Sequence, residues 1–98
     1  MNINIERLND ATVLKIEGRL DTTTAPELES TINAQGEALG NLVLDFTGVD
    51  YISSAGLRVL LTAQKKMNIQ GHMELNNVSE AVMDIFEMTG FADILEIK

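Results

Sequence analysis

The chain has 98 residues and a mass of 10.7 kDa, which suits one small domain and leaves no room for a catalytic domain joined to a separate recognition domain. Hydrophobic residues make up 45% of it and its mean hydropathy is +0.06, which predicts a folded soluble domain rather than a disordered chain. The formal net charge of −8 repels nucleic-acid phosphates, so we expect no nucleic-acid partner.

The N-terminal segments show the two-residue alternation of strands that have one wet face. The alternating positions are Ile3, Ile5 and Arg7 in the first segment and Leu14, Ile16 and Gly18 in the second. Asn9 and Asp10 lie between the segments and favour a turn. The pattern therefore predicts an antiparallel hairpin.

A helix is predicted to begin at Thr24, whose hydroxyl suits a helix cap. Glu27 occupies the capping-box position, and Pro26 lies in the first turn, where its missing N–H costs nothing. Apolar residues follow at near-helical spacing, namely Leu28, Ile32 and Leu39.

The segment from Asn41 to Phe46, NLVLDF, is an almost continuous apolar run, typical of a central strand that is covered on both faces. An amphipathic helix is predicted from Ala55 to Met67, ended by Gly71. Its buried face is formed by Leu57, Leu60, Leu61 and Met67, and its polar face by Arg58, Thr62, Lys65 and Lys66.

The C-terminal third predicts a short strand at Met73 and Leu75, then a helix capped by Asn77 with Glu80 three residues later. Gly90 is expected to be the left-handed residue that ends this helix.

The buried stripe of the helix is assigned to Val82, Ile85, Phe86 and Met88. We expect four methionines to fill gaps between the other side chains of the core: Met67, Met73, Met83 and Met88. Ile94, Leu95 and Ile97 predict a last short strand or an extended tail.

The order β, β, α, β, α, β, α, β predicts one α/β domain over residues 1–98. We expect a mixed sheet of four to five strands, with an N-terminal antiparallel hairpin followed by parallel crossovers, and three or more helices packed mainly on one face. Ligands and partners of such sheets usually meet the carboxyl ends of the parallel strands. The loop after NLVLDF is therefore the candidate functional segment.

The chain lacks the residues that several kinds of chemistry require. The chain has no cysteine, which excludes a disulfide, a thiolate metal site and a thiol nucleophile. His72 is the only imidazole, so we expect a surface residue, no metal site and no Ser-His-Asp triad. No Walker A loop or EF-hand spacing occurs, and we expect no cofactor and no enzymatic activity. Short apolar runs and a polar start predict a cytoplasmic protein without direct membrane insertion.

The loop after the central strand brings two adjacent hydroxyls, Ser53 and Ser54, to the start of a helix. Backbone N–H groups and the positive end of the helix dipole favour an anion at such a position. A phosphoserine would add roughly −1.5 to −2 charges and three acceptor oxygens there. The alternative interpretation is that one of the two serines is simply the helix cap.

The run from Asn41 to Leu61, NLVLDFTGVDYISSAGLRVLL, resembles the signature of the STAS domains, the family of bacterial anti-sigma factor antagonists and of the cytoplasmic tails of sulfate transporters. The length, the element order and the segment from Gly18 to Asp21 are also similar to this family, so the resemblance covers essentially the whole chain. It implies a protein-binding module.

The resemblance to the bacterial antagonists implies that a serine of this chain is phosphorylated by an anti-sigma factor that is also an ATP-dependent kinase of the GHKL type. It also implies that a metal-dependent serine phosphatase removes the phosphate. The phosphoacceptor position falls on Ser54, with Ser53 as a rival acceptor. Asp21 and Asp45 fall on the family's two acidic positions. The chain departs from the commonest family pattern at Ser53, where an Asp often stands, and at Ala55, where a second Ser often stands.

The leading hypothesis is a phosphorylation-switched anti-sigma factor antagonist that binds its anti-sigma kinase, and so releases the sigma factor, only when Ser54 is unphosphorylated. The alternative is a constitutive STAS interaction subunit of a signalling or transport complex. The partner-binding surface is assigned to Asp21, Ser53, Ser54, Ala55, Gly56, Leu57 and Arg58. Asp45 and Gly48 are assigned to ordering the loop. Asp21 also fits a plain turn carboxylate and Arg58 a solvated helix charge, and both interpretations stay open.

Overall fold

The computed structural model describes residues 1–36 and 39–98, which form four strands and three α-helices. In chain order these are β1 (Asn2–Arg7), β2 (Thr12–Glu17), α1 (Ala25–Ala34), β3 (Asn41–Gly48), α2 (Ser54–Gln70), β4 (His72–Asn76) and α3 (Glu80–Thr89), followed by a 3₁₀ turn (Phe91–Asp93). None of the helices in these residues is long and apolar enough to cross a membrane.

The sheet has the strand order β1-β2-β3-β4. β1 pairs antiparallel with β2, whereas β2–β3 and β3–β4 are parallel, and this confirms the predicted mixed sheet with β3 in its interior. The predicted last strand is reduced to a single parallel bridge between Leu75 and Ile97. The carboxyl ends of β2, β3 and β4 consequently share one edge of the sheet.

One face of the sheet carries the core. Side chains at alternate positions of the three parallel strands are almost fully buried: Leu14, Ile16, Leu42, Leu44, Phe46, Met73 and Leu75. Each contributes roughly 1.5–3 kcal/mol by leaving water. The opposite face carries polar residues such as Lys15, Glu17 and Thr47. This separation fixes the strand register, because a slip of one residue would move the apolar set into water.

The start and end of α1 differ from the prediction. Pro26 lies in the first turn as expected, but the Thr24 side chain does not cap the helix. The helix ends at Ala34, so Leu39 is not part of it. Leu39 is nevertheless buried, because its side chain packs into the core just before β3 begins. Its apolar character therefore reflected burial rather than helical periodicity.

The prediction for α2 is confirmed with longer bounds. The helix begins one residue before Ala55 and extends three residues past Met67, and Gly71 is its C-cap as expected. A Cβ on Gly71 would lie 1.7 Å from the carbonyl oxygen of Gly40, so this glycine is required by close backbone approach.

Two details of the α3 prediction were wrong. Ser79, not Asn77, caps the helix, and its side chain accepts a hydrogen bond from the Val82 N–H. Met88 is 84% exposed, so it belongs neither to the buried stripe nor to the core. Gly90 has φ 82° and is the expected left-handed residue at the end of the helix.

Candidate functional site

Two loops meet at the carboxyl edge of the sheet, one between β2 and α1 and one between β3 and α2. The Leu20 N–H donates to the Tyr51 carbonyl at 3.0 Å, and the Ser53 N–H donates to the Leu20 carbonyl at 2.9 Å. Leu20 and Ile52 form an isolated parallel bridge, and both are buried. The two predicted acidic and hydroxyl segments are therefore held side by side.

The two serines at the start of α2 have different roles. Ser53 is the N-cap: its hydroxyl accepts from the Gly56 N–H at 3.4 Å, and its carbonyl accepts from the Leu57 N–H at 2.9 Å. Ser54 is the first helical residue, and its side chain is exposed. Among residues 1–36 and 39–98, its hydroxyl has no hydrogen-bond partner. The cap interpretation therefore applies to Ser53 and leaves the Ser54 hydroxyl free.

The first turn of α2 lies unusually close to the two buried residues of the bridge. A Cβ on Gly56 would be 2.8 Å from Ile52 Cγ1 and 2.8 Å from Leu20 Cγ. Gly56 and Leu57 are buried, so they support the loop from below, whereas Arg58 is exposed and Ala55 half-buried. The accessible part of the assigned surface thus consists of Ser54 and Arg58 with their half-buried neighbours.

Asp21 organises the start of α1. Its Oδ1 accepts from the Thr23 N–H at 3.0 Å and from the Thr24 N–H at 3.1 Å, two groups in the turn that precedes the helix. Thr24 Oγ1 instead accepts from the Asp21 N–H at 2.9 Å. The hydrogen bond from the Thr24 backbone, followed by the bond from Thr23, lowers the pKa of Asp21 from its ordinary value. Asp21 therefore acts as a turn carboxylate that accepts hydrogen bonds from the backbone before α1.

Arg19 and Tyr51 form a contact that the sequence analysis missed. The Arg19 guanidinium carbon lies 4.0 Å from the centre of the Tyr51 ring, and its Nε lies 3.8 Å from Asp21 Oδ2. A cation over an aromatic face is worth about 0.5–1 kcal/mol at an exposed site. No spacing rule predicts this pair, because 32 positions separate the residues and only the parallel pairing of the loops joins them.

Asp45 connects the end of β3 to the residue that follows β4. Its Oδ1 accepts from the Thr47 N–H at 3.0 Å, from the Thr47 hydroxyl at 2.6 Å and from the Asn77 side chain at 3.1 Å. Burial alone would raise the pKa of Asp45, but these hydrogen bonds outweigh burial and lower it. Gly48 lies at the end of β3, where a Cβ would be 2.6 Å from Glu17 Cγ. Both residues thus shape the loop without reaching Ser54.

His72 is on the surface as expected, but it is not isolated. Its Nε2 lies 2.6 Å from Glu96 Oε2 and 3.6 Å from Glu74 Oε1, and Lys98 Nζ lies 3.4 Å from the same Glu96 oxygen. The sequence analysis missed this cluster, because the final residues return to the edge of β4. The nearby Lys98 ammonium satisfies the Glu96 carboxylate, so the cluster links the chain end to the sheet.

Comparisons with known proteins give a consistent assignment. The family profile described as "STAS domain" matches residues 2–98. A protein named putative anti-sigma factor antagonist BtrV, from Bordetella bronchiseptica, is 33% identical over 101 residues, covering 99% of this chain and 85% of that protein. The anti-sigma-B factor antagonist of Bacillus subtilis is 34% identical over 102 residues, covering 100% of this chain and 93% of that protein.

Solved structures show the same fold. An anti-sigma factor antagonist from Mycobacterium paratuberculosis superposes with a TM-score of 0.88 at 24% identity, covering 98% of this chain and 83% of that one. The phosphorylated form of SpoIIAA, a Bacillus cell fate determinant, gives 0.74 at 19% identity, covering 99% and 91%. From the match over nearly every residue and from its relatives, the chain belongs to the STAS domain family.

Proposed function

We propose that this protein is an anti-sigma factor antagonist and that phosphorylation of Ser54 switches its binding to an anti-sigma factor kinase. Two relatives that are more than 30% identical to this chain are named anti-sigma factor antagonists, and the matches cover 85% and 93% of their lengths. The observation that carries the switch is the exposed Ser54 hydroxyl at the first position of α2, beside the Asp21 loop. In this proposal the protein acts by binding rather than by catalysis, and it meets its partner in the cytoplasm.

Ser54 is a better phosphoacceptor than Ser53 because the Ser53 oxygen is already engaged. Phosphorylating Ser53 would modify the oxygen that accepts from the Gly56 N–H and so disturb a helix cap worth about 0.5 kcal/mol. The Ser54 hydroxyl has no hydrogen bond to lose among the described residues. In the reaction, the Ser54 oxygen attacks the γ-phosphorus of ATP, its proton passes to a base on the kinase, and ADP leaves.

The phosphate is compatible with the fold. Ser54 is at the positive end of the helix dipole, and among the described residues the N–H groups of Ser54 and Ala55 have no internal partner. Negative charge at this position stabilises a helix by about 0.3–1 kcal/mol. Phosphorylation should therefore leave the domain folded and act on binding.

The same phosphate opposes docking. A partner that covers Ser54 would have to strip water from roughly −1.5 to −2 charges, next to the Asp21 carboxylate. Like charges brought together at an interface cost several kcal/mol, which corresponds to decades of affinity. A local change of charge is enough to operate the switch, and no refolding of the domain is required.

The test is phosphorylation by the purified anti-sigma kinase encoded in the same genome, with Mg-ATP, followed by intact mass and site mapping. We expect the wild-type protein to gain one phosphoryl group at Ser54 and the Ser53→Ala variant to behave in the same way. The Ser54→Ala variant should gain none and should still bind the kinase. A metal-dependent serine phosphatase should remove the group.

Modification at Ser53 alone would contradict the assignment of the acceptor. A kinase complex that forms without any mass gain on either serine would instead support the constitutive interaction subunit. Circular dichroism of both variants serves as the control for folding, because each substitution lies at a helix start.

A further inference from the structure

Helix α3 presents an apolar row that the described structure covers only in part: Ile85 packs against the core, whereas Met88 does not. Ala81, Ile85 and Met88 are spaced i, i+4 and i+7, so they share one face of the helix. Met88 is 84% exposed, Ala81 is exposed and Ile85 is half-buried. The core-facing row of the helix, Val82 and Phe86, is separate and fully buried. The helix therefore exposes apolar surface at Ala81 and Met88, next to the partly buried Ile85.

An acidic row runs directly beside this apolar row. Glu80, Asp84 and Glu87 have the same i, i+4, i+7 spacing, one position earlier, and all three are exposed. At 100° per residue, the two rows are adjacent along the helix. Any molecule that covers Met88 must also meet these carboxylates.

The charge around the rows is of one sign over a long stretch. Between Lys66 and Lys98 the sequence contains six carboxylates and no lysine or arginine. Thus the C-terminal third contributes most of the excess negative charge of the molecule. No side chain of that stretch neutralises the acidic row by an i, i+4 ion pair of the kind common on solvated helices.

From these features we infer that the outer face of α3 is a docking site for an amphipathic helical segment of another protein, with apolar residues along its centre and lysine or arginine along one flank. The apolar centre would cover Ile85 and Met88, and the basic flank would pair with the row from Glu80 to Glu87. A second copy of this chain fits poorly, because it carries a charge of −8.

This site is separate from the Ser54 surface. α3 begins after the carboxyl end of β4, and Met88 lies about 12 Å along the helix axis from Glu80. Ser54 belongs to a different helix, α2, and none of the residues used here is part of the Ser54 surface. The inference therefore goes beyond the proposed switch.

The test uses designed helical peptides of about 14 residues, long enough to form a helix on contact. The first has leucine at every third and fourth position with lysine on the flanks. The second replaces the lysines by glutamate, and the third keeps the lysines but replaces the leucines by serine. Titration into ¹⁵N-labelled full-length protein gives the dissociation constant and the residues whose signals shift.

We expect only the leucine–lysine peptide to bind strongly, with shifts centred on α3. Met88→Ser should weaken this binding about tenfold, because the buried methionine contact is lost. The matched control is Ile69→Ser, which removes an 89% exposed apolar side chain from α2 and should leave binding unchanged. The Asp84→Asn, Glu87→Gln double variant should bind more weakly and lose much of its salt dependence. Ser54→Asp should have no effect.

Four results would overturn the inference. They are absence of binding by the leucine–lysine peptide, equal binding by the glutamate or serine peptides, equal loss in Met88→Ser and Ile69→Ser, and self-association of the free protein through α3 in sedimentation equilibrium. Because Met88 and Ile69 are both exposed, neither substitution threatens folding, and thermal unfolding of each variant checks this directly.

Discussion

The starts of α1 and α2 lie side by side on one edge of the sheet, yet they use their polar side chains differently. At α1, Asp21 and Thr24 satisfy each other and the backbone through short hydrogen bonds. At α2, the Ser53 hydroxyl accepts a long hydrogen bond from the Gly56 N–H and so caps the helix, and the exposed Ser54 hydroxyl is left without a bond in the described residues. The comparison teaches that the side chains of Asp21 and Thr24 are used up by local hydrogen bonds, whereas the Ser54 side chain is not.

The largest expected effect concerns how closely α2 approaches the bridge between the two loops. Gly56→Ala should lower the free energy of unfolding by about 2 kcal/mol, since the added methyl group overpacks against Leu20 and Ile52. In an ordinary helix the same change stabilises by about 0.5–1 kcal/mol, so the sign is diagnostic. Urea denaturation measures it.

The matched control is Gly40→Ala, where a Cβ meets nothing within 4 Å and φ is not positive. Its effect should be within about 0.5 kcal/mol of wild type. If Gly56→Ala proved as stable as Gly40→Ala, the close approach at the α2 start would be refuted.

The next effect compares the polar side chains at the two helix starts. Asp21→Ala should destabilise the protein more than Ser53→Ala does, because two backbone N–H groups lose their acceptor. Ser53→Ala should cost only about 0.5 kcal/mol, since its bond of 3.4 Å is long. Denaturation curves of both variants test the order, and a larger loss at Ser53 would reverse our view of the two starts.

A smaller, stabilising effect is expected at the free hydroxyl. Ser54→Asp should raise the free energy of unfolding by about 0.5 kcal/mol at low salt, because a carboxylate at the first helical position favours the dipole. Ser54→Asn is the uncharged control, and high salt should remove the difference between the two. A destabilised Ser54→Asp variant would show that the α2 start does not tolerate negative charge.

The smallest effect is a pH dependence at Asp45. Its pKa in the folded protein lies below the ordinary 3.8, so its contribution to stability is fully present above that value and is lost as the pH falls through the folded pKa. The gap in stability between wild type and Asp45→Asn should therefore narrow in acid. A gap independent of pH from about 6 to 3 would contradict the bonding described for Asp45.

The fold was predictable from particular residues of the sequence. The alternation at Leu14 and Ile16 and the apolar run ending at Phe46 located two strands, because a buried face leaves a period of two or a continuous run. The helix caps were less predictable. Thr24 and Asn77 are both good cap types, yet the Thr24 side chain makes no cap bond and Ser79 caps α3, since several polar residues in a row offer alternative hydrogen bonds to the backbone.

The site was predictable in part. The hydroxyl pair at the α2 start was located by its position after a buried strand, but which serine caps the helix depends on backbone angles that a Ser-Ser pair does not specify. The Arg19–Tyr51 contact and the exposure of Met88 depend on how distant segments pack. Helical periodicity placed Met88 near the buried stripe, although Ile85 in the same row packs against the core and Met88, at the end of the helix, does not.

The most direct test of the central proposal is the affinity of the anti-sigma kinase for this protein with and without phosphate on Ser54, measured by isothermal titration calorimetry without ATP. The proposal predicts that the phosphorylated protein binds at least about a hundredfold more weakly, which is about 2.7 kcal/mol, while its circular dichroism spectrum is unchanged. Equal dissociation constants for the two forms would contradict it.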